Sequence, residues 1–120
     1  FNLAKKLAAL REHGVLIIGS GNIVHNLRAI SWEHIDEICA GYDWAYAFRD
    51  HINHAMTTKN DDDLVHYEQF GENAALSVPT LDHYLPLLYV MALRESDEKV
   101  AFFNDHLIAG SLSMTSVLVG

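Results

Sequence analysis

Cysteine is almost missing: Cys39 is the only one in 120 residues. A lone thiol excludes an internal disulfide framework and any cysteine-based zinc knuckle. Basic residues are scarce as well, eight Lys and Arg against sixteen Asp and Glu, for a formal net charge of −8. Phosphate neutralisation needs clustered Lys and Arg, so this balance argues against nucleic-acid binding and against an anionic membrane surface. Long hydrophobic runs are lacking too. The longest mostly apolar stretch, Leu85 to Leu93, is interrupted by Pro86 and is about half the roughly 20 residues a spanning helix needs. The start has no basic-then-apolar secretory pattern, so the expected setting is cytoplasmic and reducing. What is present is a 50% apolar composition, enough to bury a core and contrary to disorder. Eight histidines are a high share for this length, and imidazole serves both as metal ligand and as proton carrier near neutral pH. At 13.5 kDa the chain is at most one ordinary domain. It begins at Phe1, partway into a helical pattern, which reads as a fragment or processed chain with an incomplete active site.

Leu3, Leu7 and Leu10 recur at helical spacing, with Lys5, Lys6, Arg11 and Glu12 on the other face. His13-Gly14 reads as the helix stop. Val15-Leu16-Ile17-Ile18 is short, wholly apolar and mostly β-branched, which suits a strand buried on both faces of a parallel sheet. Helix, glycine and buried strand make one step of an α/β architecture, so the expected fold is a mostly parallel sheet flanked by helices. Gly19-Ser20-Gly21-Asn22 is turn chemistry, expected to need positive φ. Open α/β sheets hold ligands beyond the carboxyl ends of their strands, which is where His25 falls. Further along, Ser31 caps a short helix or irregular segment to Glu37. Tyr42 to Met56 is a longer helix with Trp44, Ala47, Phe48, Ile52, Ala55 and Met56 inward. Asp61-Asp62-Asp63 starts another, closed by Gly71. Pro86 favours Asp82 over Thr80 as cap of the next helix, with His83 on its first turn and Leu87, Leu88, Val90 and Met91 behind. Lys99 to Phe103 and Ser111 to Val119 read as strands around an Asp105/Gly110 turn.

Two readings stay open at His25 and at His83. Each is a polar residue satisfied locally, His25 by a backbone carbonyl in its loop and His83 at a helix start; or each is a metal ligand or acid/base. His51 and His54 lie three apart on a helix, but without a third ligand they read as a solvated face. His13, His34, His66 and His106 read as surface or cap residues. Gly19 to Asn22 lacks the lysine of a phosphate-binding loop and the third glycine of a dinucleotide fingerprint. No Gly-x-Ser-x-Gly elbow is present, and nothing marks Cys39 as a nucleophile.

Three motifs in order then carry a resemblance. These are Gly19-Ser20-Gly21-Asn22-Ile23-Val24-His25-Asn26-Leu27, Pro79-Thr80-Leu81-Asp82-His83-Tyr84-Leu85-Pro86-Leu87-Leu88-Tyr89, and Gly110-Ser111-Leu112-Ser113-Met114-Thr115-Ser116. Together they resemble the carboxy-terminal half of the class III extradiol ring-cleaving dioxygenases, in the DOPA 4,5-dioxygenase branch. The resemblance runs from about Lys5 to Gly120, loosely between Ile30 and Ala75. It implies that residues 1–120 are the carboxy-terminal part of one catalytic domain, whose missing amino-terminal half brings two further metal-site histidines. By the same resemblance His83 is a metal ligand. His25 is the acid/base beside the metal, or itself a ligand in zinc-loaded members.

The resemblance further implies a mononuclear site with Fe(II) for turnover, Zn²⁺ also being suited to imidazole, and a catecholic, DOPA-like substrate cleaved next to its diol by O₂. Asn26 and Tyr84 are candidates to orient the histidines or the substrate, and Arg28 is a candidate clamp for a substrate carboxylate. One rival is a metal-binding domain that keeps the fold without oxygenase activity. A zinc hydrolase is the other, disfavoured because no His-Glu-x-x-His motif supplies a general base.

Overall fold

The amphipathic start forms a 3₁₀ turn, Ala4–Leu7, that runs into helix α1, Ala8–Glu12, in a computed structural model describing residues 1–120. Gly14 takes a φ of 74° and ends the helix, as its position after the last helical turn predicts. Arg11 then ties this terminal segment to residues 82 and 87 positions further along the chain. Its guanidinium donates to the Leu93 carbonyl at 2.6 Å and pairs with the Glu98 carboxylate.

Val15 to Ile18 forms no strand. From Leu16 to Gly21 no backbone group takes part in a hydrogen bond, and Leu16 and Ile18 are 78% and 80% exposed. The expected mostly parallel sheet is likewise not what this chain forms. Its strands make two antiparallel pairs: β1 (Val100–Phe103) with β4 (Ser116–Val119), and β2 (Leu107–Ile108) with β3 (Leu112–Ser113). Connection length explains the β2–β3 pair, since its short turn between Ile108 and Leu112 permits only antiparallel pairing, and β4 then runs back beside β1. The single parallel contact is an isolated bridge between Gly41 and Gly110. The expected strand over Ser111 to Val119 is broken at Met114, whose N–H donates to the His106 carbonyl.

The core lies under α2, Asp43–Thr58, which buries Ala45, Phe48, Ile52, Ala55 and Met56. Trp44 and Ala47 are only half buried, so the inward stripe is rotated slightly from the expected one. Asn60 caps α3 (Asp61–Val65), its side chain accepting from the Asp63 N–H, with three aspartates at the favourable positive end of the dipole. After Gly71 an additional helix, α4 (Glu72–Ser77), appears. Leu64, Ala74, Leu88, Met91 and Leu107 complete the cluster around α2, each large side chain contributing about 1.5–3 kcal/mol by burial. Arg94, 4% exposed, bonds to Asp61 and to the Met56 carbonyl, joining the ends of α2, α3 and α5 (Leu85–Ala92). No helix is long and apolar enough to cross a membrane.

Candidate functional site

Three segments far apart in sequence converge at one end of α5: the Gly19–Asn26 loop, the Ser77–His83 turn and the β2–β3 hairpin. The glycines of the first segment make this approach possible. A Cβ at Gly21 would stand 2.1 Å from the His83 carbonyl oxygen, and one at Gly19 would stand 2.8 Å from that of Pro86. Neither glycine takes a left-handed φ, so the sequence demands them for close approach rather than for the positive-φ turn expected. The contact is sealed by the Asn22 N–H, which donates to the His83 carbonyl at 2.9 Å.

Beyond Asn22 the loop is sewn to the hairpin. Val24 donates its N–H to Ser113 Oγ at 3.1 Å and accepts from the Ser113 N–H at 3.0 Å. Ser113 is therefore buried while its neighbour Met114 faces out. Asn22 Nδ2 donates to the Ser113 carbonyl at 2.6 Å. Asn26 donates through Nδ2 to the Leu76 carbonyl at 2.7 Å and accepts the Arg28 N–H at Oδ1. Its backbone exchanges bonds with Ser111. Asn26 thus fixes the loop that carries His25, and its side chain hydrogen-bonds to neither histidine ring.

His25 is 5% exposed, with its own N–H donated to the Ser77 carbonyl at 2.9 Å. Both ring nitrogens face backbone carbonyls: Nδ1 lies 3.1 Å from that of Asn22 and Nε2 2.8 Å from that of Thr80. Carbonyls only accept, so a neutral ring donates to one of them and the imidazolium to both. The His25 ring stands 5.1 Å, centroid to centroid, from the ring of His83. Folding thus joins the two histidines that the sequence singled out.

His83 sits differently. Helix α5 begins at Leu85, so His83 occupies the turn before it rather than its first turn. Asp82 makes no cap; the N–H groups of Tyr84 and Leu85 are taken by the Leu81 carbonyl instead. The His83 ring is half exposed, with Nε2 3.3 Å from Asp82 Oδ2. A hydrogen bond from Thr80, then one from its own backbone N–H, holds the Asp82 carboxyl below the usual carboxylate range, with smaller help from His83 and His25. His83 also lines a cleft of about 390 Å³, with Asn22, Phe103 and Thr115 among its other walls. This cleft opens where the Val15–Ile18 run ends, the place at which a ligand was expected. His25 lies outside its lining, behind His83.

Other candidates lie elsewhere. Tyr84 is fully buried and donates its hydroxyl to the Leu64 carbonyl at 3.0 Å. Burial pushes that hydroxyl's pKa far up, so Tyr84 is a core residue and does not orient the histidines. Arg28 is exposed and lines no part of the cleft. His51 stacks on Phe70 at 4.0 Å and faces Asp63, while His54 is exposed, so they form no chelating pair. One of the two sequence readings had His25 satisfied by a backbone carbonyl of its own loop, which Asn22 supplies; the second carbonyl, from Thr80, was missed. A backbone acceptor leaves no mark in residue type. Ser113 had a weak signal, a serine alternating with apolar residues in a strand.

A mononuclear metal centre needs about three protein ligands. No group of three or more His, Cys, Asp or Glu side chains able to hold a metal occurs in this structure. His83 offers an accessible imidazole, whereas both His25 nitrogens are engaged. Residues 1–120 therefore do not make a complete metal site by themselves.

No known protein-family model matches the chain. It is 40% identical over its whole length to a protein of Escherichia coli (strain K12) named 4,5-DOPA dioxygenase extradiol, and covers 44% of that protein. Proteins of the same name from Beta vulgaris and Mirabilis jalapa are 28% and 31% identical over 97% and 72% of the chain, which covers 42% and 31% of them. The crystal structure of an uncharacterized Escherichia coli K12 protein, JW3007, superposes on 95% of the chain with a TM-score of 0.83 and 38% identity. The chain covers 46% of that structure, and so spans less than half the length of the relatives it matches. Over its whole length the chain is homologous to the 4,5-DOPA extradiol dioxygenases and belongs to their family.

Proposed function

We propose that residues 1–120 are the carboxy-terminal part of an extradiol dioxygenase domain, opening a DOPA-like catechol beside its diol with both atoms of O₂ entering the product. The observation that carries this reading is the meeting of the His25 and His83 rings at 5.1 Å beside the cleft. His83 supplies one imidazole to a mononuclear metal, Fe(II) for turnover with Zn²⁺ also able to bind, whose remaining ligands come from outside these residues. Such a metal supplies proximity between two adjacent oxygens and dioxygen. This chain supplies proton transfer and a wall.

His25 is the acid/base. It accepts a phenolic proton at Nε2, and the resulting imidazolium can donate to the Asn22 carbonyl from Nδ1 while it holds the transferred proton. Thr80, which occupies Nε2 in the resting loop, lies in an exposed turn and yields as substrate enters. Either role, base or ligand, needs the Nε2 lone pair free of the Thr80 carbonyl, and the family resemblance is what favours the acid/base for His25. Asn22, Phe103 and Thr115 form the wall against which the ring lies.

The test is a joined protein: this chain in place of the matching stretch of the E. coli relative. With DOPA, O₂ and Fe(II) it should produce the coloured ring-opened product, and tyrosine, with one oxygen, should give none. Equal turnover of the two compounds would sink the diol requirement; no turnover of any catechol would sink the reading.

A further inference from the structure

Asn22 is the residue through which the two histidines are joined. Its N–H donates to the His83 carbonyl at 2.9 Å, and its own carbonyl faces His25 Nδ1 at 3.1 Å. Its side chain is anchored away from both, Nδ2 donating to the Ser113 carbonyl at 2.6 Å. Gly21 leaves room for the first contact, because a Cβ there would stand 2.1 Å from the same His83 oxygen.

The His25 ring lies between two carbonyls, and a neutral imidazole can donate to only one of them. That choice decides which nitrogen keeps a lone pair. With the proton on Nδ1, Nε2 can accept; with the proton on Nε2, the lone pair faces Asn22, within its own loop. The two carbonyls are held unequally. That of Thr80 comes closer, at 2.8 Å, but it belongs to an exposed turn and accepts no backbone N–H. Asn22 cannot swing its carbonyl away without straining the bonds of its N–H and its side chain.

We infer that Asn22 is a positioning residue: it holds the neutral His25 ring in its Nδ1–H form, so that Nε2 is the nitrogen that takes the substrate proton. The tautomer of a working histidine is set by the hydrogen bond its other nitrogen makes. The inference rests on the dioxygenase reading for what Nε2 does, and on bonds within residues 1–120 for the tautomer itself. A proton leaving a catechol hydroxyl arrives at Nε2, while the proton on Nδ1 stays in its bond to Asn22.

The tautomer is read by ¹⁵N NMR of the histidine rings in the 120-residue chain at alkaline pH, the His25 signals being those lost in His25→Ala. The parent should carry the proton on Nδ1. Asn22→Asp keeps the shape and loses the donor to the Ser113 carbonyl, and Asn22→Ala loses both. Each should free the Asn22 carbonyl and move the proton to Nε2, toward Thr80. Ser113→Ala controls for instability alone. It loses the bond to Val24 but keeps the backbone carbonyl that Asn22 grips, so it should melt lower with the tautomer of the parent. In the joined protein, both Asn22 variants should keep their metal and lose about 10²-fold in kcat with little change in KM, the scale of a misplaced catalytic group. A proton on Nε2 in the parent, or one tautomer shared by the parent and both Asn22 variants, would overturn the inference. So would undiminished turnover in those variants. The expected tautomers in a joined protein that cleaves no catechol would overturn the functional reading and leave the role of Asn22 standing.

Discussion

Two halves of one continuous stretch behave in opposite ways. From Leu16 to Gly21 the backbone makes no hydrogen bond and apolar side chains face water. From Asn22 to Asn26 the chain is pinned by His83, Ser77, Ser111 and Ser113, and it buries His25. Both halves are rich in β-branched residues, so composition does not separate them. What separates them is where their partners lie. The histidine loop finds its acceptors within these 120 residues, while the strand half does not. The loop that carries His25 is therefore held entirely by this chain, whereas the Leu16–Gly21 half is not.

The comparison can be broken most sharply at its hinge. Gly21→Ala puts a Cβ 2.1 Å from the His83 carbonyl, and overpacking against backbone should cost about 2–3 kcal/mol. Thermal melting should show a fall of roughly 10–20 °C, and an unchanged melt would mean the loop is loosely held. Ser113→Ala comes next. It leaves the buried Val24 N–H without its acceptor, for a loss of about 1–3 kcal/mol in denaturant unfolding. On the other side of the hinge, Ile18→Ser in the 120-residue chain should fall within about 0.5 kcal/mol of the parent. A larger loss there would show that the strand half is already packed.

The smallest effect concerns the Arg11–Glu98 pair, which closes the start of the chain onto the end of α5. Hydrogen bonds from Arg11 and from the Glu95 N–H bring the Glu98 carboxyl down to about 2. A carboxyl lowered on folding stabilises above its ordinary range, and that contribution is lost as pH falls through its folded value. The melting difference between parent and Glu98→Gln should be constant near neutrality, shrink below about pH 4.5 and vanish near pH 2. A difference independent of pH would remove the ion pair from the account.

Much of this was legible in the sequence because the signals were local. Gly14 ends α1 and Gly71 ends the 3₁₀ turn Tyr67–Phe70 that follows α3, both with positive φ, and α2 follows its apolar period. The pairing of His25 with His83 was legible only through the ordered motifs, because nothing in their spacing says that they meet. The parallel sheet was misread because a buried-strand composition reports what a segment needs, and the need is not met inside residues 1–120. Tyr84 was misplaced because neighbouring residues in a turn point opposite ways: His83 goes to the cleft and Tyr84 to the core. A loop carbonyl beside His25 was foreseen, and Asn22 supplies it; that of Thr80 was invisible, since any residue could have supplied it.

The roles proposed for the two histidines differ in what their loss should remove. Metal content and turnover measured together in the joined protein, for His25→Ala and His83→Ala, address it directly. His25→Ala should keep most of its metal and lose about 10²–10⁴-fold in turnover, the range for a missing acid/base, whereas His83→Ala should lose the metal itself. If His25→Ala loses its metal as readily as His83→Ala, the two carbonyls around its ring do not set its role, and His25 is a ligand.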